Sequence, residues 1–180
     1  MERNKRMAAW DEAARFHGHR CPGLAIGVRI ALDYKERIGL RERTEDEEIV
    51  ALVETDSCSV DGIQSILGCT AGKGNLRICC RGKHVFTFFQ RSSGESLRYS
   101  WKSFGSGEQS REGKADYFLN GPKDALYNVE PARCSLPSKA AIYVSVPCAL
   151  CGEPTAEPQL RVREGQLVCR ECAGEVVHCG

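Results

Sequence analysis

Ile49-Val50-Ala51-Leu52-Val53 decides the reading of the fold. Five consecutive apolar residues, three of them β-branched, read as a buried strand. The chain then turns through Thr55-Asp56-Ser57-Cys58 into a short helix over residues 59–67, which Gly68 ends. On the N-terminal side, residues 5–17 read as a helix. Met7, Ala8, Ala14 and Phe16 are expected to share its buried face, with Trp10 and Ala13 flanking. His17-Gly18-His19-Arg20 breaks that helix. Pro22 suits the first position of a second helix, which runs to about residue 38 on a stripe of Leu24, Ala25, Val28, Ala31, Leu32 and Ile38 before Gly39. Gly27 is small enough to let another backbone come close. The charged run 41–48 reads as a solvated loop.

On the C-terminal side, three strands are expected at 76–81, 84–90 and 97–102, with turns at Gly82-Lys83 and Ser92-Ser93-Gly94. In the second of these, Phe86 and Phe88 face one way and Val85 and Phe89 the other, so a helix layer or a partner protomer must cover both sides. Residues 103–114 read as an exposed connection, 117–126 as a short helix interrupted at Gly121-Pro122, 128–137 as irregular, and 140–146 as a strand leading into the tail. The expected architecture is α+β, with helices packed on a mostly antiparallel sheet and a small C-terminal four-cysteine zinc-ribbon or treble-clef module. The expected domains are 1–146 and 147–180.

Composition narrows the function classes. The 42% apolar content is enough for a core, and 25 basic against 24 acidic residues argue against binding a polyanion. No apolar run is long enough to span a membrane, and no apolar segment follows the charged start, so a cytoplasmic protein is expected. Eleven cysteines in 180 residues then point to metal ligation or thiol chemistry rather than to disulfides.

Cys148-Ala149-Leu150-Cys151 and Cys169-Arg170-Glu171-Cys172 are two knuckles with 17 residues between them. A two-residue gap lets both thiolates of a knuckle reach one ion, and two knuckles complete a tetrahedral thiolate shell suited to structural Zn(2+). Gly152 permits the tight turn, and residues 160–168 read as a hairpin turning at Glu164-Gly165. The module's arginines are offset by glutamates, so nucleic-acid binding is not expected.

The remaining candidates lie in the first domain. His17, His19 and Cys21 fall within five residues, and Cys21 precedes Pro22 at a helix start, where helix N–H groups favour thiolate. Cys58 occupies a comparable helix start after the buried strand. Asp61 is one turn on, Cys69 follows the helix, and Lys73 adds a positive charge in a glycine-rich loop. Cys58 and Cys69 would bracket the short helix and approach one pocket. Expected roles are Cys58 as the most reactive group, His19 beside it, Asp61 to orient or protonate, and Lys73 to hold an anion. Cys79 and Cys80 in an apolar strand, with Cys134 and Cys179, read as ordinary buried cysteines. His84 reads as a surface residue and His178 as a tail residue, with a replacement metal ligand as its alternative role.

The run Phe16-His17-Gly18-His19-Arg20-Cys21-Pro22-Gly23-Leu24-Ala25-Ile26-Gly27-Val28-Arg29 resembles the opening motif of the FmdE family, which is named for a component of formylmethanofuran dehydrogenase. So does the block from Cys58-Ser59-Val60-Asp61-Gly62-Ile63-Gln64 through Gly68-Cys69-Thr70 and Gly72-Lys73-Gly74-Asn75-Leu76. The resemblance implies a homodimer with a cleft lined by His17, His19, Cys21, Cys58, Asp61 and Cys69, with Lys73 nearby. It implies redox or one-carbon chemistry, as an oxidoreductase or as part of one. A second transition metal at His17, His19, Cys21, Cys58 and Cys69 would be zinc, nickel or iron. The alternative is a non-catalytic adaptor that docks a larger molybdenum or tungsten oxidoreductase.

Overall fold

The computed structural model describes residues 3–41, 46–102 and 110–175. The chain divides into two compact units, Met1–Ala140 and Ala141–Gly180. The first contains strands β1 (Ile49–Val53), β2 (Leu76–Ile78), β3 (Val85–Gln90), β4 (Ser96–Trp101) and β5 (Tyr127–Pro131). They form one sheet in the order β2-β1-β3-β4-β5. Only β1 and β2 run parallel; the other neighbours are antiparallel. A parallel pair cannot be closed by a hairpin, and helix α3 (Ser59–Leu67) makes the crossover between β1 and β2. The architecture is therefore α+β, with helices on a mostly antiparallel sheet.

Helices α1 (Arg3–His17), α2 (Pro22–Arg37), α4 (Arg111–Asn120) and α5 (Lys123–Leu126) complete the unit. Every residue of α2 from Leu24 to Tyr34 is buried. The apolar stripe describes only part of this helix, because α1, α3 and α4 all pack against it. Two charged residues inside it are matched. The Arg29 guanidinium donates to the carbonyls of Leu119 (3.1 Å) and Gly121 (3.0 Å) and so closes the carbonyl end of α4. Asp33 accepts from the Tyr99 hydroxyl (3.0 Å) and from Arg37 Nε (2.6 Å), and pairs with Lys123. Burial pushes the Asp33 carboxyl up, but Lys123 and Arg37 outweigh it and hold the group below its usual range. A run of rings, Tyr34 on Phe88 (4.6 Å), Phe88 to Tyr99 (5.6 Å) and Tyr99 to Tyr127 (5.6 Å), joins α2 to the sheet.

Five local expectations change, one of them the strand expected at 140–146, of which only Ser145–Pro147 is extended and paired. In α1 the buried face is centred on Trp10 and Ala13, while Met7 and Phe16 are exposed. The residues at helical spacing from Trp10 are Ala13, Ala14 and His17, so the bulky indole sets the inward face and carries His17 with it. The expected connection 103–114 gives way to α4 from Arg111, because Ser110 accepts the Gly113 N–H (3.0 Å) as an N-cap and Ala115, Phe118 and Leu119 bury one face. Residues 103–109 lie outside the described ones, as do His178 and Cys179. The segment expected to be irregular begins as strand β5, pairing Val129 with Tyr99 and Tyr127 with Trp101. Finally, the strand at 76 ends at Ile78, on the sheet edge, so Cys79 and Cys80 are exposed rather than buried. Cys134 is exposed as well. In β3 the expected burial on both faces is observed, from Val85 to Phe89.

Candidate metal centres

Helices α2 and α3 cross backbone against backbone. A Cβ on Gly27 would lie 2.0 Å from the Ser59 carbonyl oxygen, and one on Gly62 would lie 2.6 Å from the Val28 nitrogen. Only glycine fits at either place, so two helices begin side by side: Cys21 caps α2 and Cys58 caps α3. Gly62, in the middle of a helical run, is the sequence signal of this approach that the pattern of apolar residues passes over. Cys21 is in extended conformation and its sulfur accepts the Leu24 N–H (3.3 Å). The Cys58 side chain makes no cap bond, which leaves its thiol free to face Cys21.

The end of α1 brings the imidazoles to this point. His17 Nδ1 is 2.6 Å from Asp61 Oδ2, and its Nε2 is 3.7 Å from Cys21 Sγ. An imidazole that donates Nδ1–H to a carboxylate presents the Nε2 lone pair opposite, which is how a metal-ligating histidine is oriented. Gln64 Nε2 holds the other Asp61 oxygen at 3.2 Å. Gly18, at φ +89°, turns the chain so that the His19 ring lies 4.4 Å from that of His17. Ligand atoms of His17, His19 and Cys21 lie within 4.8 Å of one another. These residue types at this spacing fit a transition-metal ion. Burial, and then the neighbouring Cys21, push the Cys58 thiol above its ordinary value. Arg111, at the start of α4, lies 3.5 Å from His19 Nε2 on the exposed rim.

Cys69 and Lys73 are placed elsewhere. Nine residues of α3 separate Cys58 from Gly68, about 13 Å at the helical rise. Cys69 is fully buried, donates to the Ile49 carbonyl (3.4 Å), and is pushed up to about 12 by burial. The Lys73 ammonium donates to the Asp46 carbonyl (3.4 Å). The structure thus gathers His17, His19, Cys21, Cys58 and Asp61 at one end of α3, and sets Cys69 and Lys73 at the other.

In the second unit, β6 (Ser145–Pro147) pairs with β7 (Pro154–Ala156), and β8 (Leu160–Arg163) with β9 (Gln166–Cys169). Glu164 and Gly165 both have positive φ, 51° and 77°, as the tight turn of this hairpin requires. The two knuckles repeat one geometry: Gly152 N–H donates to the Cys148 carbonyl and Ala173 N–H to that of Cys169, both at 2.9 Å. The thiols of Cys148, Cys151, Cys169 and Cys172 lie within 4.8 Å of one another. Backbone N–H groups of Cys151 and Cys169 pull the Cys148 thiol down to about 6, while Cys169 and burial push Cys172 up to about 12. One ready thiolate among crowded thiols is a donor set that a dication completes, and it fits tetrahedral Zn(2+). Glu175 accepts from Arg161 and Arg170, at 2.5 Å each, which ties β8 and the second knuckle to the residues that follow it.

These features define an α+β metal-binding protein with a zinc-finger module. The family described as "FmdE, Molybdenum formylmethanofuran dehydrogenase operon" matches residues 16–130, and the "Prokaryotic dksA/traR C4-type zinc finger" matches residues 142–178. The chain belongs to the FmdE family. It is 37% identical over 89 residues to a probable S-adenosyl-L-methionine-binding protein of Archaeoglobus fulgidus, and the match covers 48% of this chain and 24% of that protein. The fold is similar to the crystal structure of a tungsten formylmethanofuran dehydrogenase FmdE-like protein from Syntrophus aciditrophicus, with TM-score 0.64, 18% identity, and coverage of 96% of this chain and 94% of that one. Among the described residues, no helix is long and apolar enough to cross a membrane.

Proposed function

We propose that this protein is an enzyme, or a component of one, in redox or one-carbon metabolism that holds a transition metal at His17, His19, Cys21 and Cys58. The tail zinc serves folding alone. The observation that carries this reading is the Asp61–His17–Cys21 line, with contacts of 2.6 and 3.7 Å. A bound zinc, nickel or iron ion would supply Lewis-acid or redox chemistry. The protein's own part is positional: Asp61 fixes the His17 tautomer, the Leu24 N–H holds the Cys21 sulfur, and Cys58 offers a half-buried thiol from the next helix. Arg111 places a guanidinium beside His19, suited to an anionic substrate group.

Metal analysis of purified protein and of its Cys58→Ser variant tests the reading. The expected result is two ions per chain falling to one. Equal content in both, with one ion held by the tail, overturns it. Likeness along nearly the whole chain to a formylmethanofuran dehydrogenase FmdE-like protein favours a second reading, an adaptor for a molybdenum or tungsten oxidoreductase. Co-purification with such an enzyme, without loss on Cys58→Ser, would select the adaptor. In either role the protein would act as a cytoplasmic homodimer. The name of the archaeal relative makes S-adenosylmethionine a ligand to try in the same assays.

A further inference from the structure

We infer that Cys21 and Cys58 are a thiol–disulfide pair, and that closing this bond switches the N-terminal site off. The pair is 37 residues apart in sequence, yet it caps two helices whose backbones touch at Gly27 and Gly62. Gly23 lies beside both thiols. A Cβ there would lie 3.1 Å from Cys58 Cβ, tighter than ordinary contact, and 3.8 Å from Cys58 Sγ and 3.9 Å from Cys21 Sγ, so the bare backbone lets Cys58 settle against the start of α2 with both sulfurs at one place. Both sulfurs thus lie within 4 Å of one point, and both thiols are free. Disulfide closure needs Cβ atoms about 3.5–4.5 Å apart. With no cap bond on Cys58, χ1 rotation alone turns its sulfur toward Cys21, and small shifts of the two helix starts set the Cβ spacing.

The oxidant is a low-molecular-weight disulfide. The half-buried Cys58 thiolate attacks one of its sulfurs and expels the first thiol, leaving a mixed disulfide on Cys58. Buried Cys21 then attacks Cys58 Sγ and expels the second thiol. Two protein thiols become one disulfide, and one small disulfide becomes two thiols. The chemistry of the pair is independent of any ion. Its consequence for the site rests on the metal reading, because the same two sulfurs would be ligands.

The test uses full-length reduced protein with the tail loaded with zinc. It is treated with oxidised glutathione, blocked with iodoacetamide and digested with trypsin, which releases peptides 21–29 and 44–73. The expected product is the cross-linked pair of these peptides, with fragmentation placing the bond at Cys58 rather than Cys69. In Cys21→Ser, Cys58 should instead accumulate as the glutathione mixed disulfide. The proposal is overturned if wild-type Cys58 stops at the mixed disulfide, if the bond goes to Cys69, or if no cross-link forms where exposed Cys79 and Cys80 are fully modified. Cobalt titration of the reduced and oxidised protein separates the two ideas. Cobalt bound only by the reduced N-terminal site supports the switch. A cross-link in a protein whose reduced site never takes cobalt leaves the pair standing and removes the metal reading.

Discussion

The two cysteine-rich regions are built in opposite order. In the second unit only Cys148, Leu160 and Val168 are buried among the described residues, so there is little core to hold the knuckles. There the ion must make the fold. In the first unit a core running from Trp10 to Tyr127 positions His17, Cys21 and Cys58 before any ligand arrives, and there the fold makes the site. The sharpest way to break this contrast is to strip metal with a chelator. Zinc binding in such modules is worth about 10–16 kcal/mol, far more than three buried side chains provide. Amide exchange should show β8 and β9 losing all protection while β1 and β3 keep theirs. Protected tail amides in the metal-free protein would collapse the distinction.

The converse experiment damages the first site through its frame. Gly27→Ala gains about 1 kcal/mol of helix propensity. It also forces a Cβ to 2.0 Å from a backbone oxygen that cannot rotate away. Overpacking of this kind costs about 3 kcal/mol, so the net effect is a loss of about 2 kcal/mol. Thermal unfolding of the first unit should fall accordingly, and the Cys21–Cys58 cross-link should form more slowly because the helix starts move apart. An unchanged midpoint would mean that the helices do not meet at this glycine.

A smaller effect is expected at Asp33. Arg37 and Lys123 are each more than 40% exposed, so water replaces much of what Asp33→Asn removes, and the loss should be about 1.5 kcal/mol. The sign with pH follows from the lowered carboxyl. Its contribution is full above the unfolded value of about 3.9 and disappears as pH falls through the folded value. The gap in melting temperature between wild type and variant should be constant near neutrality and close below about pH 4. A gap that persists in acid would assign the effect to packing around Tyr99 instead.

How much of this is legible in sequence follows a physical line. β1, α3 and the ends of α2 are announced by local signals: a continuous apolar run, Pro22 and Gly68. The four-cysteine unit is equally plain, because knuckle spacing is a local geometric requirement. What sequence does not show is long-range. Arg29 and Asp33 interrupt an apolar helix, and only the fold reveals that α4 carbonyls and the pair Arg37–Lys123 meet them. The start of α4 is hidden because Ser110 and its buried face follow a polar run that reads as linker. At the candidate site the residue types are visible, and so is part of their sorting. The shared pocket expected for Cys58 and Cys69 fails on a length the sequence already holds, because a helix over 59–67 sets its two flanks about 13 Å apart.

The least expected effect on folding, and the most specific for the site, is at Asp61. It is about one-third exposed and lies beside the core rather than in it, so Asp61→Asn should shift stability by less than about 0.5 kcal/mol. Its oxygen nevertheless sets which nitrogen of His17 carries the proton, and an amide flipped to offer NH2 would favour the wrong tautomer. Loss of such an outer carboxylate typically costs about 10–100-fold in metal affinity, or about 1.4–2.7 kcal/mol of binding. Cobalt titration should therefore weaken at the first site and stay unchanged at the tail, while the melting temperature of the metal-free protein does not move. If affinity is unchanged, His17 is a hydrogen-bonded core histidine and not a ligand. If affinity and metal-free stability fall together, Asp61 supports the fold instead, and the first unit is less independent of its site than its core implies.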